Sequence, residues 1–182
     1  MKSIKHWRAA LFVAASLLIL AVISHSIVRA EITRVKGETF RFPVSGFDPH
    51  DIFRGRYLNI RMEDKVRHDA PYAGAWKRAY GILAIDAEGM AYVDKLAKFP
   101  PDDVPYLAVK MRRYYSYRFV PPFERYYMNE EDAPIAERIL NAALREDGAG
   151  ATLVLKIHNG YAVVEDLEIG GTSIHELIAA TK

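Results

Sequence analysis

From Ala9 to Val28 the chain reads AALFVAASLLILAVISHSIV, twenty residues without a formal charge, eleven of them Leu, Ile, Val or Phe. A helix of that length spans about 30 Å, the hydrocarbon thickness of a bilayer. Leu17 to Ile23 shows no polar face, unlike the core helix of a soluble domain. Beyond residue 37 the period changes from continuous to alternating. Thr39–Val44 reads as a strand, with Pro43 marking an edge or the strand's end. Tyr57–Met62 (YLNIRM) places Leu58, Ile60 and Met62 on one face. Residues 81–96 form a hairpin turned at Glu88-Gly89, and 151–169 form a second, in which Asn159-Gly160 suits a type I′ turn. Tyr106–Phe119 is strand-like and rich in aromatics. Asp132, Pro134, the face Ile135/Ile139/Ala142/Ala143 and Gly148 delimit one helix. A short second helix is expected from Ser173, where Ser173 and Glu176 have capping-box spacing. Lys65–Ala79 is unpatterned, and Phe99–Pro105 reads as a connector. Aligning Gly89 with Gly160 sets Ala91–Leu96 on Ala162–Leu167, and Phe53–Leu58 echoes Phe123–Met128. Alternating strands resemble one another by chance, which is the simpler account of that likeness. The fold class expected is a mainly antiparallel β (α+β) domain with one inserted helix, behind a single transmembrane helix.

Charge sharpens the division. The chain holds 25 Lys and Arg against 23 Asp and Glu. Lys2, Lys5, Arg8 and Arg29 fall within residues 1–30, which contain no acid. Removing those four leaves 21 basic and 23 acidic residues, a net of −2, which gives nucleic acid no basic face to meet. With no cysteine, disulfide scaffolds, Cys-ligated zinc, iron–sulfur clusters and cysteine nucleophiles are excluded. The apolar segment reads as a retained anchor. A cleaved signal is the competing reading, but Ala9–Ile23 is long for one and Val28-Arg29-Ala30 is a poor cleavage site. The short basic tail, residues 1–8, favours a cytoplasmic N-terminus, with 9–28 spanning the inner membrane and 31–182 on the periplasmic or external side.

The most distinctive stretch is Gly46–Arg61. Asp48-Pro49 suits the first two positions of a turn, and Gly55 permits a bulge just before the next strand. Here the chain resembles the GDYXXLXY family of bacterial membrane-anchored proteins. Asp48, Pro49, Asp51, Arg54, Gly55, Tyr57 and Ile60 match its pattern, whereas Arg56 and Met62 stand where the family name has Asp and Tyr. The Tyr115–Pro121 segment and the closing Gly170-Gly171 are similar as well. The resemblance implies a membrane-tethered extracytoplasmic domain without a known reaction. It also implies a multi-spanning membrane protein as partner.

Asp48, His50, Asp51, Arg54, Arg56 and Tyr57 could bind a metal or move protons. The structural alternative is a turn whose acids are met by Arg54 or Arg56 while Tyr57 packs in the sheet. Tyr115, Tyr117 and Arg118 mix aromatic and cationic groups, which at strand spacing reads as an aromatic inner and a basic outer face. As a binding surface, the candidates are Asp48, Asp51, Arg54, Arg56, Tyr57, Tyr115, Tyr117 and Arg118. His68-Asp69 lacks any metal-binding spacing, and His158 and His175 read as exposed polar residues. No P-loop, GxGxxG or nucleophile elbow is present. No cofactor, metal or catalytic residue is expected. The function expected is a non-enzymatic interaction module held at the membrane. The alternative is an envelope enzyme, or a small-ligand or carbohydrate binder, using the Asp48–Tyr57 loop.

Overall fold

The computed structural model describes residues 3–47, 57–62, 66, 78–111, 119–120, 123, 125–145 and 150–182. Helix α1, Ser3–Lys36, runs unbroken through the apolar segment and two turns beyond it. Its apolar side chains lie open, Phe12 at 74% exposure and Leu17 at 60%. Trp7–Lys36 is long and apolar enough to cross a membrane, with none of its most apolar stretch buried by the protein. Its last turns pack on the domain, along the second hairpin.

That domain is mainly antiparallel β. Its strands are β1 (Glu38–Phe47), β2 (Tyr57–Met62), β3 (Arg78–Ile85), β4 (Ala91–Ala97), β5 (Tyr106–Met111), β6 (Phe119–Val120), β7 (Arg125–Tyr127), β8 (Ala151–His158), β9 (Tyr161–Ile169) and β10 (Thr172–Ser173). Helix α2 is Ala133–Arg145 and α3 is Ile174–Thr181. Six strands pair in the order β10-β9-β8-β1-β2-β7 and four in the order β4-β3-β5-β6.

Strand β1 serves two neighbours. Residues 38–43 pair with β8, and Val44, Gly46 and Phe47 pair with β2, with an irregularity between Val44 and Gly46. Pro43, which has no N–H to give a ladder, is the last residue paired to β8. A bulge there bends the strand and turns the sheet's second part away from its first. The bend is large, because Tyr126 on edge strand β7 hydrogen-bonds Asp166 on β9. Across a flat sheet those strands would stand about 19 Å apart, four spacings of ~4.8 Å.

Taking β1–β4 as a first half and β5–β9 as a second, the two halves exchange strands. First-half β1 pairs with second-half β8, and second-half β5 pairs with first-half β3. Strands β2 and β7 pair with Tyr57 opposite Tyr127, the two residues that the sequence echo makes equivalent. This reciprocity is the pairing that a pseudo-twofold axis through that pair produces. The sheets also meet where Ala108 N–H donates to the Gly160 carbonyl at 2.9 Å.

One hydrophobic core runs through the domain. It takes Phe40, Phe42, Leu58, Ile60 and Met62 from the first strands, Leu83, Val93 and Leu107 from the smaller sheet, and Leu153, Leu155 and Leu167 from the second hairpin. Helix α2 packs against β2, β8 and α3. Its buried stripe is Ala133, Ala136, Leu140 and Ala143, whereas Ile135 and Ile139 only flank the core and Ala142 is exposed. Of the expected face Ala143 is buried, whereas the other buried positions, Ala136 and Leu140, lie one residue beyond Ile135 and Ile139. Small residues at 136 and 143 let the helix approach closely around Leu140, and the bulkier isoleucines fit at the margin. Asp132 does precede the helix, its carbonyl accepting from Ile135 and Ala136 N–H. Gly148 lies outside the described residues. Ser173 caps α3 by accepting from the His175 N–H at 3.3 Å.

Candidate functional site at the junction of anchor and domain

The junction is built by three short-range devices. Asn159 (φ 47°) and Gly160 (φ 72°) both take the left-handed conformation, as a type I′ turn demands, so β8 and β9 close with the tightest common hairpin loop. A Cβ on Gly160 would stand 2.4 Å from the Tyr106 ring, so this turn needs glycine for space as well as for φ. Gly37, the sole residue between α1 and β1, donates its N–H to the Thr33 carbonyl at 2.8 Å. A Cβ there would lie 2.3 Å from that carbonyl and 3.0 Å from the Ile157 nitrogen. The chain at Gly37, where the helix hands over to β1, thus lies close against the β8 backbone at Ile157.

Side chains complete the seam. Thr33, 1% exposed, is the buried polar residue of the helix, and its hydroxyl donates to the Arg29 carbonyl at 2.9 Å. The Arg29 guanidinium sits 4.4 Å from the centroid of the Tyr161 ring, a cation–π contact that holds the cation at the hairpin's tip. Between helix and tip is a recess of about 220 Å³ lined by His25, Val28, Arg29, Ile32, Thr33, His158 and Asn159. No acidic residue lines it, and the Asn159 amide lies 3.4 Å from His158 Nε2.

A second polar constellation lies at the helical side of the domain. The Tyr126 hydroxyl is 3.3 Å from Asp166 Oδ1 and 3.0 Å from His175 Nε2. Asp166 Oδ1 also accepts from the Leu167 N–H at 2.7 Å. Burial pushes the Tyr126 phenol above its ordinary range, and the charge of Asp166 and its hydrogen bond push the same way. The phenol therefore keeps its proton and acts as a donor, not as a base or nucleophile. With one phenolic proton for two neighbours, the trio ties β7, β9 and α3 together. Nearby, Asp132 Oδ1 and the Lys182 ammonium stand 2.6 Å apart. That hydrogen-bonded pair lowers the Asp132 carboxyl and raises the Lys182 amine from their ordinary ranges.

Of the residues expected to bind, Asp48, Asp51, Arg54, Arg56, Tyr115, Tyr117 and Arg118 lie outside the described residues, as do His50 and His68-Asp69. Tyr57 opens β2, its backbone opposite Tyr127. Among the described residues, no group of three or more His, Asp or Glu is placed to hold a metal ion. His175 is exposed as expected but bonded to a buried phenol. In the sequence, the seam residues His25, Arg29 and Thr33 read as the fading end of an apolar run and its flank, which carries no binding signal. An available signal was Thr33 followed by Gly37 at helical spacing, a small-residue face where one backbone can approach another.

A family model described as GDYXXLXY protein matches residues 19–167. No curated protein and no solved structure matches the chain.

Proposed function

The chain belongs to the GDYXXLXY family, and from that premise we propose that it is a single-pass inner-membrane protein. Its β domain is held rigidly on the periplasmic or external surface and works as a non-enzymatic interaction module for a multi-spanning membrane protein. The observation that carries this reading is the unbroken α1. Its apolar stretch is uncovered by the protein, while its last turns pack on β8 and β9 and hand over to β1 through one residue. A flexible tether would give only a raised effective concentration. A continuous helix also sets the height and orientation of the domain, which suits recognition of a partner fixed in the same plane.

A periplasm-active reporter fused after Lys182 should be active, and carbonate washing should leave the protein in membranes. Photocrosslinkers at His50 and Ser116 should trap a membrane protein in intact cells. Inserting a Gly-Ser segment between Val28 and Arg29 should lower that yield while the chain stays anchored. Activity from a cytoplasm-specific reporter alone would overturn the orientation. Absence of a membrane-protein adduct at both positions would overturn the interaction role.

A further inference from the structure

The seam's chemistry and height together identify a ligand. Val28 ends the apolar run and Arg29 is the next residue. Headgroup zones are roughly 5–7 Å deep on each side of a ~30 Å hydrocarbon core, and an α-helix crosses that depth in about four or five residues. Arg29 to Thr33 therefore stands at the level of the lipid phosphates, with His25 one turn below at the hydrocarbon boundary, and the hairpin tip His158-Asn159 faces the same recess. The Arg29 guanidinium has no carboxylate partner among the described residues and lies over the Tyr161 ring. Arginine matches a phosphate's oxygens with two parallel N–H donors. His25, His158 and the Asn159 amide add nitrogen donors, while Val28 and Ile32 supply an apolar side for glycerol and the start of an acyl chain. At about 220 Å³ the recess is below the range for drug-sized ligands and suits one headgroup.

We propose that this recess binds the phosphodiester headgroup of an anionic glycerophospholipid in the leaflet from which α1 emerges. The neighbouring 98–105 connector does not share the role. It exposes Phe99 and Val104 but carries Asp102 and Asp103 against Lys98, leaving no net positive charge. Lipid at Arg29 would lock the hairpin tip to the membrane surface and fix the domain's tilt. The inference rests on α1 being a retained span.

The test is native mass spectrometry of the full chain in detergent with phosphatidylglycerol, phosphatidylcholine or diacylglycerol added at equal concentration. One phosphatidylglycerol should be retained at least tenfold above either of the other lipids. Arg29→Glu should abolish that preference, Arg29→Lys should keep part of it, and Lys98→Glu, outside the recess, should leave it intact. His158→Ala, at the end of β8 and not on the helix, should weaken retention severalfold even if Arg29→Glu disturbs folding. Equal retention of the three lipids, or full retention by both Arg29→Glu and His158→Ala, would overturn the proposal. So would displacement of the lipid by millimolar inorganic phosphate, which would assign the recess to a soluble anion. The same spectrum reads the intact mass. A chain starting near Glu31 would refute the retained span itself, whereas an intact chain without lipid would refute only the headgroup site.

Discussion

Hairpins β3–β4 and β8–β9 occupy equivalent places in the exchanged topology and end differently. Each breaks register shortly before its turn, between Ile82 and Leu83 and between Val154 and Leu155. Each lends its first strand to the other half's leading strand. In the first hairpin the turn is longer, with the Asp86 carboxylate accepting from the Glu88 and Met90 N–H groups, and a Cβ at Gly89 would meet nothing. The second turns on two residues against Tyr106 and carries the anchor. One supersecondary unit thus serves once as plain sheet and once as a mount. What separates them is the tightness of the turn and what is packed upon it.

The largest contrast should appear at the aligned leucines Leu96 and Leu167, 7% and 0% exposed. Leu→Ala in a core costs about 2–5 kcal/mol. We expect Leu167→Ala near the top of that range and Leu96→Ala near the bottom, measured by denaturant titration of the detergent-solubilised chain. Equal losses would mean that both hairpins bear the core alike. Next come the turn glycines, both at positive φ. Gly89→Ala should cost about 1–2 kcal/mol from backbone conformation alone. Gly160→Ala adds a clash with Tyr106 and should cost roughly 1–3 kcal/mol more. A Gly160→Ala variant no worse than Gly89→Ala would remove the steric distinction between the tips.

A smaller effect is expected where the second half alone carries helices. Tyr126→Phe deletes the hydroxyl between Asp166 and His175 and should cost about 0.5–1.5 kcal/mol, read as a shift in denaturation midpoint. No change would mean that the trio does not tie β7 to the helical side.

The smallest effect concerns pH. The Asp132 carboxyl is lowered by Lys182, so its contribution is full above the ordinary carboxyl value of about 3.9 and lost as pH falls through the lower, folded value. The Lys182 amine is raised by Asp132, so its contribution is full below about 10.4 and lost as pH climbs through the raised value. Between about pH 5 and 9 the pair should add a flat increment that Asp132→Asn removes. The gap between parent and variant should close in strong acid. A gap unchanged down to pH 2 would show that the pair is not its source.

Local patterns carried much of this protein in the sequence. Continuous apolarity over 9–28 dictated an exposed helix, because nothing in a domain this small could cover it on all sides. Alternation dictated strands, with Leu58, Ile60 and Met62 all buried as their spacing requires. Asn159-Gly160 specified its turn because two successive residues with φ > 0 admit few other pairs. The specific motif around Asp48–Tyr57 pointed to the family.

Tertiary structure alone decided the rest. That α1 continues to Lys36 instead of ending at the membrane depends on Thr33 and Gly37 meeting the second hairpin. At Gly37 that contact sets the chain close against the β8 backbone, which no side-chain periodicity announces. The partner switch of β1 was visible only as a proline, and its consequence, a sheet bent until Tyr126 reaches Asp166, depends on strands some forty residues apart. The recess at Arg29 joins residues more than a hundred positions apart. Sequence period says which way a residue faces within its own element. What it faces is settled by which elements pack together, and here that packing made the last turns of a long apolar helix into the wall of a recess.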